Sequence, residues 1–161
     1  MKHLLLIRHA KSSWDDFSQK DFDRPLNHRG DRDAPAMAKH LLGKKIKIDA
    51  FVSSPAKRAY TTCKYFAEVY GKKEKTIIKV PQLYEPSVKA FYEVIKKLDD
   101  EFENVAFFSH NPGVTAFANE LTDTGIDNMP TCGVFAVKID AKDWKDFERR
   151  KKNYGSLNIQ K

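Results

Sequence analysis

Two apolar runs in this chain end on side chains that do not belong in an apolar core. Leu4-Leu5-Leu6-Ile7 stops at Arg8-His9, and the run at residues 104–109 stops at His110. A third run, residues 48–52, leads into Ser53-Ser54-Pro55, with Arg58 one helical turn further on. Arginine's planar fork matches the oxygens of a phosphate and stays charged at any relevant pH. Two arginines and two histidines brought to one edge, beside two helix N-termini, would make an anion-seeking pocket. The chain has no GxxxxGK and no GxGxxG run, so side chains rather than a glycine-rich loop would hold the phosphate. No pair of His or Cys has metal-ligand spacing, and adjacent arginines would repel a cation. Neither a metal nor a cofactor is expected.

For these side chains to meet, the three runs must be parallel strands ending at the same edge. Residues 4–7 are apolar without alternation, the pattern of a strand buried on both faces. In open α/β sheets the carboxyl edge of such strands is where ligands bind. Helical spacing appears between the runs. Ala34, Met37, Ala38, Leu41 and Leu42 mark one apolar face that stops at Gly43. Pro35 leaves two starts open for this helix, a cap at Asn27 with a kink near the proline, or a cap at Asp33. Ser54 as N-cap and Pro55 at the first helical position open the next helix, which carries Ala56, Ala59, Tyr60, Cys63, Ala67 and Tyr70 at three- and four-residue spacing, burying Cys63, and ends at Gly71.

A third strand at residues 76–80 runs into Pro81-Gln82-Leu83-Tyr84-Glu85-Pro86, which puts Glu85 in a proline-bracketed turn. A helix is expected over residues 87–98, and another after His110, with Asn111 as its cap and Pro112 in its first turn. Residues 132–139 read as a strand, and residues 154–159 as a possible edge strand. The long polar loop at residues 11–26 is of the kind that is functional or mobile. Its aspartates Asp15, Asp16, Asp21 and Asp23, alternating with Lys20 and Arg24, match no calcium loop and read as solvated charge. Strands alternating with helices give an α/β fold with a mainly parallel central sheet covered on both faces.

At 161 residues, with 41% hydrophobic and 32% charged residues, the chain is expected to form one globular domain over residues 1–161. No run is long enough to span a bilayer, Lys2-His3 before four aliphatics makes no signal peptide, and Cys63 and Cys132 need not pair. Cytoplasmic location without membrane contact is the default. A net charge of +7 suggests an anionic partner. Much of it lies from Lys138 onward, where eight basic residues face four acidic ones. The run Arg149-Arg150-Lys151-Lys152 lacks interleaved aromatics for base stacking, so it reads as solvated surface and nucleic acid is a minor hypothesis. Nothing in the sequence specifies an oligomeric state.

Three stretches together carry a family resemblance. Arg8-His9-Ala10, then Ser54-Pro55-Ala56-Lys57-Arg58-Ala59 with Thr61 and Thr62, then Ser109-His110-Asn111-Pro112-Gly113 resemble, in order, the motifs of the histidine phosphatase superfamily. The resemblance covers residues 2–137, and the Arg8-His9-Ala10-Lys11-Ser12 opening with Pro25-Leu26-Asn27 is most similar to the superfamily's small phosphohistidine phosphatases. It implies a phosphoglycerate mutase-like, three-layer αβα sandwich. It also implies His9 as nucleophile, with Arg8, Arg58 and His110 as a phosphate clamp and Ser12 as a further phosphate-binding residue. Ala10 stands where the superfamily usually has glycine. Asp15 stands where mutase-like members have an asparagine, which disfavours a second anionic group on the substrate.

On that basis neutral His9 attacks phosphorus in line, and water hydrolyses the resulting phosphohistidine. The flanking arginines lower the His9 pKa and neutralise charge on the equatorial oxygens. Glu85 is the candidate general acid and base. The expected activity is a phosphatase acting on protein phosphohistidine. The alternatives are a phosphomonoesterase or mutase for a small phosphorylated metabolite, and a non-catalytic phosphate-binding module, against which an intact His9 argues.

Overall fold

In the first strand, β1 (Lys2–Arg8), Leu4 and Leu6 face one way and Leu5 and Ile7 the other, and all four are buried. A computed structural model describes residues 1–123 and 125–153 of the chain. Along it follow α1 (His28–Gly43), β2 (Ala50–Ser53), α2 (Lys57–Val69), β3 (Ile78–Lys79), α3 (Val88–Lys96), β4 (Asn104–Ser109), α4 (Gly113–Leu121), β5 (Val134–Ile139) and β6 (Lys152–Asn153). The strands form one sheet in the order β3-β2-β4-β1-β5-β6. β1, β2, β3 and β4 run parallel, β5 is antiparallel to β1, and β6 is antiparallel to β5.

Period-two alternation in the central strands sorts their side chains into two cores. Leu4, Leu6, Val52 and Phe107 pack with Phe91 and Ile95 of α3 and Phe117 of α4. Leu5, Ile7, Phe51 and Phe108 pack with Ala34, Met37 and Leu41 of α1 and Cys63 and Phe66 of α2. The result is the αβα sandwich with a mainly parallel sheet. It sets Arg8, Ser53 and Ser109 side by side, because Arg8 is in register with Ser109 and Ser53 with Phe108. Among the described residues no helix is long and apolar enough to cross a membrane.

Several boundaries differ from the sequence expectations. Asn27 is the cap of α1, its side chain accepting from the Gly30 amide at 2.9 Å, and Pro35 lies inside the helix. Leu42, expected on the buried face, is 45% exposed. α2 starts at Lys57 with Ala56 at its cap position. Ser54, the expected cap, accepts only from the Ala56 amide at 3.2 Å and turns its hydroxyl to another use. The third strand shortens to Ile78–Lys79, preceded by a 3-10 turn at Glu74–Thr76. β5 begins at Val134, because Cys132 adopts a positive φ of 61° and its amide turns to the Arg8 and His9 carbonyls. The edge strand considered at residues 154–159 lies outside the described residues.

Candidate active site

The chain leaves β1 at Arg8, and His9 follows with its amide hydrogen-bonded to the Ser109 carbonyl at the end of β4. His110 is the next residue along β4's exit, and the two imidazole centroids lie 5.2 Å apart. Arg58, in the first turn of α2, sends its Nε–H to His9 Nε2 at 3.3 Å. Thr62, one turn on, locks this approach: its hydroxyl donates to the Arg58 carbonyl at 2.8 Å and accepts from the Ala10 amide at 3.0 Å. Arg8 donates through Nη1 to the Met129 carbonyl at 2.8 Å. His9, Arg58 and His110 are all buried, at the floor of a cavity of about 520 Å³ that Ser12, Trp14, Asp21, Arg24 and Glu85 also line.

The proton on His9 can be placed. Its Nδ1 lies 2.7 Å from the Ala10 carbonyl, which can only accept, so Nδ1 carries the hydrogen and the lone pair is on Nε2. Burial lowers the His9 pKa to about 4, opposed by the Ala10 hydrogen bond and reinforced by the charges of Arg58, Arg8 and Arg24. His110 falls to about 3, by burial first and then by Arg58 and His9. Its Nε2 lies 2.7 Å from Ser54 Oγ. Both rings are therefore neutral near pH 7. His110 Nδ1 and Arg8 Nε are buried without a partner among the described residues.

One carboxylate enters this cationic set. Asp21 takes Arg58 Nη1 on its backbone carbonyl at 2.7 Å and Nη2 on Oδ2 at 3.0 Å. Tyr84 donates its hydroxyl to the same Oδ2 at 2.7 Å, and Arg24 Nε reaches Oδ1 at 3.3 Å. Partial burial acts to raise the Asp21 pKa, but the bonds from Tyr84 and Arg58 win and hold it at about 2. The same bond to Asp21, then burial, pushes Tyr84 up to about 12. Three guanidinium groups, Arg8, Arg24 and Arg58, thus surround two neutral imidazoles with one carboxylate between them. The excess positive charge suits an anionic ligand.

The sequence profile of the histidine phosphatase superfamily (branch 1) matches residues 4–91. The chain belongs to that superfamily. An uncharacterized chloroplast protein of Arabidopsis thaliana is 29% identical over 153 residues, covering 90% of this chain and 70% of its own length. Among solved structures, the protein histidine phosphatase SixA complexed with tungstate superposes with a TM-score of 0.77 at 22% identity, over 95% of this chain and 94% of that one. A mycobacterial glucosyl-3-phosphoglycerate phosphatase in complex with VO3 also reaches 0.77, at 15% identity, over 99% of this chain and 100% of that one. At these identities the two solved structures establish the fold.

Within this histidine phosphatase fold, Arg8, His9, Arg58 and His110 are brought together at one edge. Glu85 reaches only the rim, exposed, with a positive φ of 51°. Ser12 lines the cavity, and its hydroxyl already accepts from Arg24 Nη1 at 2.8 Å. Asp21 and Arg24, read from the sequence as solvated charge, are instead part of the wall, while Asp15, Asp16 and Asp23 are exposed. Ser54 and Tyr84 were also missed as site residues. Arg24 precedes the Pro25-Leu26-Asn27 segment, and that adjacency is the one local signal that could have singled it out. Among the described residues no cluster of His, Cys, Asp or Glu is arranged to hold a metal ion. A second cavity of about 390 Å³ lies at the other end of β1, lined by His3, Leu5, Lys45, Ala136 and Lys138, and none of the arginine–histidine set reaches it.

Proposed function

We propose that this chain is a phosphatase, one domain over residues 1–161, that works in the cytoplasm through a phosphohistidine formed on His9. The observation that carries the reading is a neutral His9 whose Nε2 lone pair is presented among three guanidinium groups. In the first step Nε2 attacks phosphorus and the bond from phosphorus to the leaving group breaks, the departing atom keeping the electron pair. Arg8, Arg58 and His110 surround the three equatorial oxygens, and Ser12 and Arg24 extend that ring on the loop side. An arriving phosphoryl dianion raises the His110 pKa, which gives its unpartnered Nδ1 a proton to donate. Water then attacks the phosphorus on Nε2, inorganic phosphate leaves, and neutral His9 is restored.

Protein-borne phosphohistidine is the preferred substrate. Its imidazole leaves with little protonation, and the candidate carboxyl acid for the leaving group, Glu85, is exposed at the rim. A small phosphomonoester is the second reading, favoured by the presence of any carboxylate at that rim. The test is to incubate the enzyme with a ³²P-labelled phosphodonor and look for acid-labile, base-stable label. Label on His9, with turnover abolished in a folded His9→Ala, is the expected result. Residual turnover above roughly a few per cent in His9→Ala removes His9 as the nucleophile.

A further inference from the structure

Half of the six large apolar side chains left exposed among the described residues fall within residues 14–22, on the loop from which Trp14, Asp21 and Arg24 line the cavity. Trp14 is 60% exposed, Phe17 91% and Phe22 39%. Clustered exposed aromatics on one loop mark interaction surfaces more often than accidents of composition. Two of the three are tied to the cavity wall. Trp14 lines the cavity, and its ring is stacked on the Arg24 guanidinium at 3.6 Å. Phe22 packs edge-on against Tyr84 with centroids 5.2 Å apart, and Tyr84 in turn holds Asp21, the partner of Arg58. The aromatic rim is therefore registered to the floor where His9 lies.

The position of the rim discriminates between substrates. Phe17 and Phe22 do not line the cavity, so a small phosphorylated metabolite seated on the floor would not touch them. They would meet whatever surface carries the phosphoryl group, if that group sits on a protein side chain. Asp15 and Asp16 are exposed between Trp14 and Phe17 and Asp23 beside Phe22, three carboxylates against the exposed Lys20, which complements a partner whose apolar patch is fringed by lysine or arginine.

We propose that Trp14, Phe17 and Phe22 form the docking surface for a protein substrate, gripping an apolar, base-fringed patch next to its phosphohistidine. The proposal rests on the phosphatase reading above and adds the partner's surface chemistry to it. The test uses three probes: free phosphohistidine, a phosphohistidine peptide with leucine and lysine flanks, and the same peptide with serine flanks. Wild type should turn over the leucine–lysine peptide with a KM about tenfold below that of the serine peptide, a hot-spot-sized effect. In Phe17→Ser that preference should vanish, while kcat/KM for free phosphohistidine stays within about twofold and the melting temperature is unchanged, since Phe17 packs against little. A preference that is absent in wild type, or that survives in Phe17→Ser, overturns the proposal. So does a shift from dimer to monomer in Phe17→Ser at constant peptide preference, because the rim would then be covered by a second copy of this chain. If wild type turns over none of the probes, the phosphatase reading has failed. Calorimetric affinities for the two peptides, measured on wild type and Phe17→Ser, then decide the docking surface by the same criterion.

Discussion

Arg58 uses three of its five N–H donors within the protein before any substrate arrives, with Nε on His9 and one hydrogen of each Nη on Asp21, and the other two are left for phosphate. A lysine has the charge but not the fork, and cannot hold both partners at once. Arg58→Lys should therefore lower kcat/KM by about a hundredfold or more, the loss of two charge-assisted contacts of roughly 1.5–3 kcal/mol each. Steady-state kinetics within tenfold of wild type would mean that the Asp21 contacts are structural and that phosphate is held elsewhere. Glu85 makes the opposite case, a charged side chain at the rim whose role depends on the substrate. If it protonates leaving groups, Glu85→Gln should slow alkyl phosphates by roughly 10²–10⁴-fold and leave phosphohistidine and aryl phosphates nearly unaffected. Equal slowing of both classes would restrict Glu85 to activating water.

At the scale of elements, the opening of α1 matters more than its amphipathic face suggests. Gly30, in its first turn, is buried against the loop leaving β1: an added Cβ would sit 2.2 Å from the Lys11 carbonyl oxygen and 3.1 Å from Leu26 Cβ. That carbonyl already accepts from the Asn27 amide at 3.0 Å, and Ser12 bridges to Leu26 just beyond it. Gly30→Ala must push α1 and the Lys11–Ser12 backbone apart. A loss of about 1–3 kcal/mol is expected, read as a lower melting temperature, with a parallel fall in activity because Ser12 lines the cavity. Gly43, at the other end of the same helix, has nothing within 4 Å of an added Cβ. Gly43→Ala should be neutral or slightly stabilising, and an equal response of the two variants would refute the close approach at Gly30.

For the whole molecule, the two site imidazoles make stability depend on pH. His9 and His110 have pKa values of about 4 and about 3 in the folded protein, against 6.5 for an unperturbed histidine. His3 is lowered too, by burial and then by Lys138. As pH falls below about 6.5 the unfolded chain binds protons that the folded chain refuses, so stability falls with pH across that window. The contribution is present in full above 6.5 and lost as pH drops through the folded values. Asp21 adds a loss of the same sign further down, from its usual 3.8 toward about 2. The urea midpoint should therefore hold steady above pH 7 and decline between about pH 6.5 and 5, where carboxylates barely titrate. The decline should shrink in His9→Asn. A flat midpoint over that interval would show that the imidazoles are not held neutral by burial.

The sequence by itself pointed to the αβα order and a mainly parallel sheet, and, given parallel strands, to Arg8, His9, Arg58 and His110 along one edge. Those features follow from local rules: unbroken apolar runs make strands buried on both faces, and polar residues that end such runs must emerge at their carboxyl edge. It did not decide which start α1 uses, since a proline is compatible with either cap, and only the packing of Gly30 against Lys11 places the first turn at His28. Nor did it separate Asp21 and Arg24 from the neighbouring aspartates and lysine. On a polar loop a charge looks the same whether it is solvated or paired, and two of the three side-chain partners of Asp21 stand 37 residues away at Arg58 and 63 away at Tyr84. Ser54 likewise satisfied the rules for a helix cap, yet the approach of His110 from 56 residues along the chain drew its hydroxyl into the site. Contacts over such separations leave no period in the sequence, so the fold alone decided which polar residues of the loop became walls of the cavity.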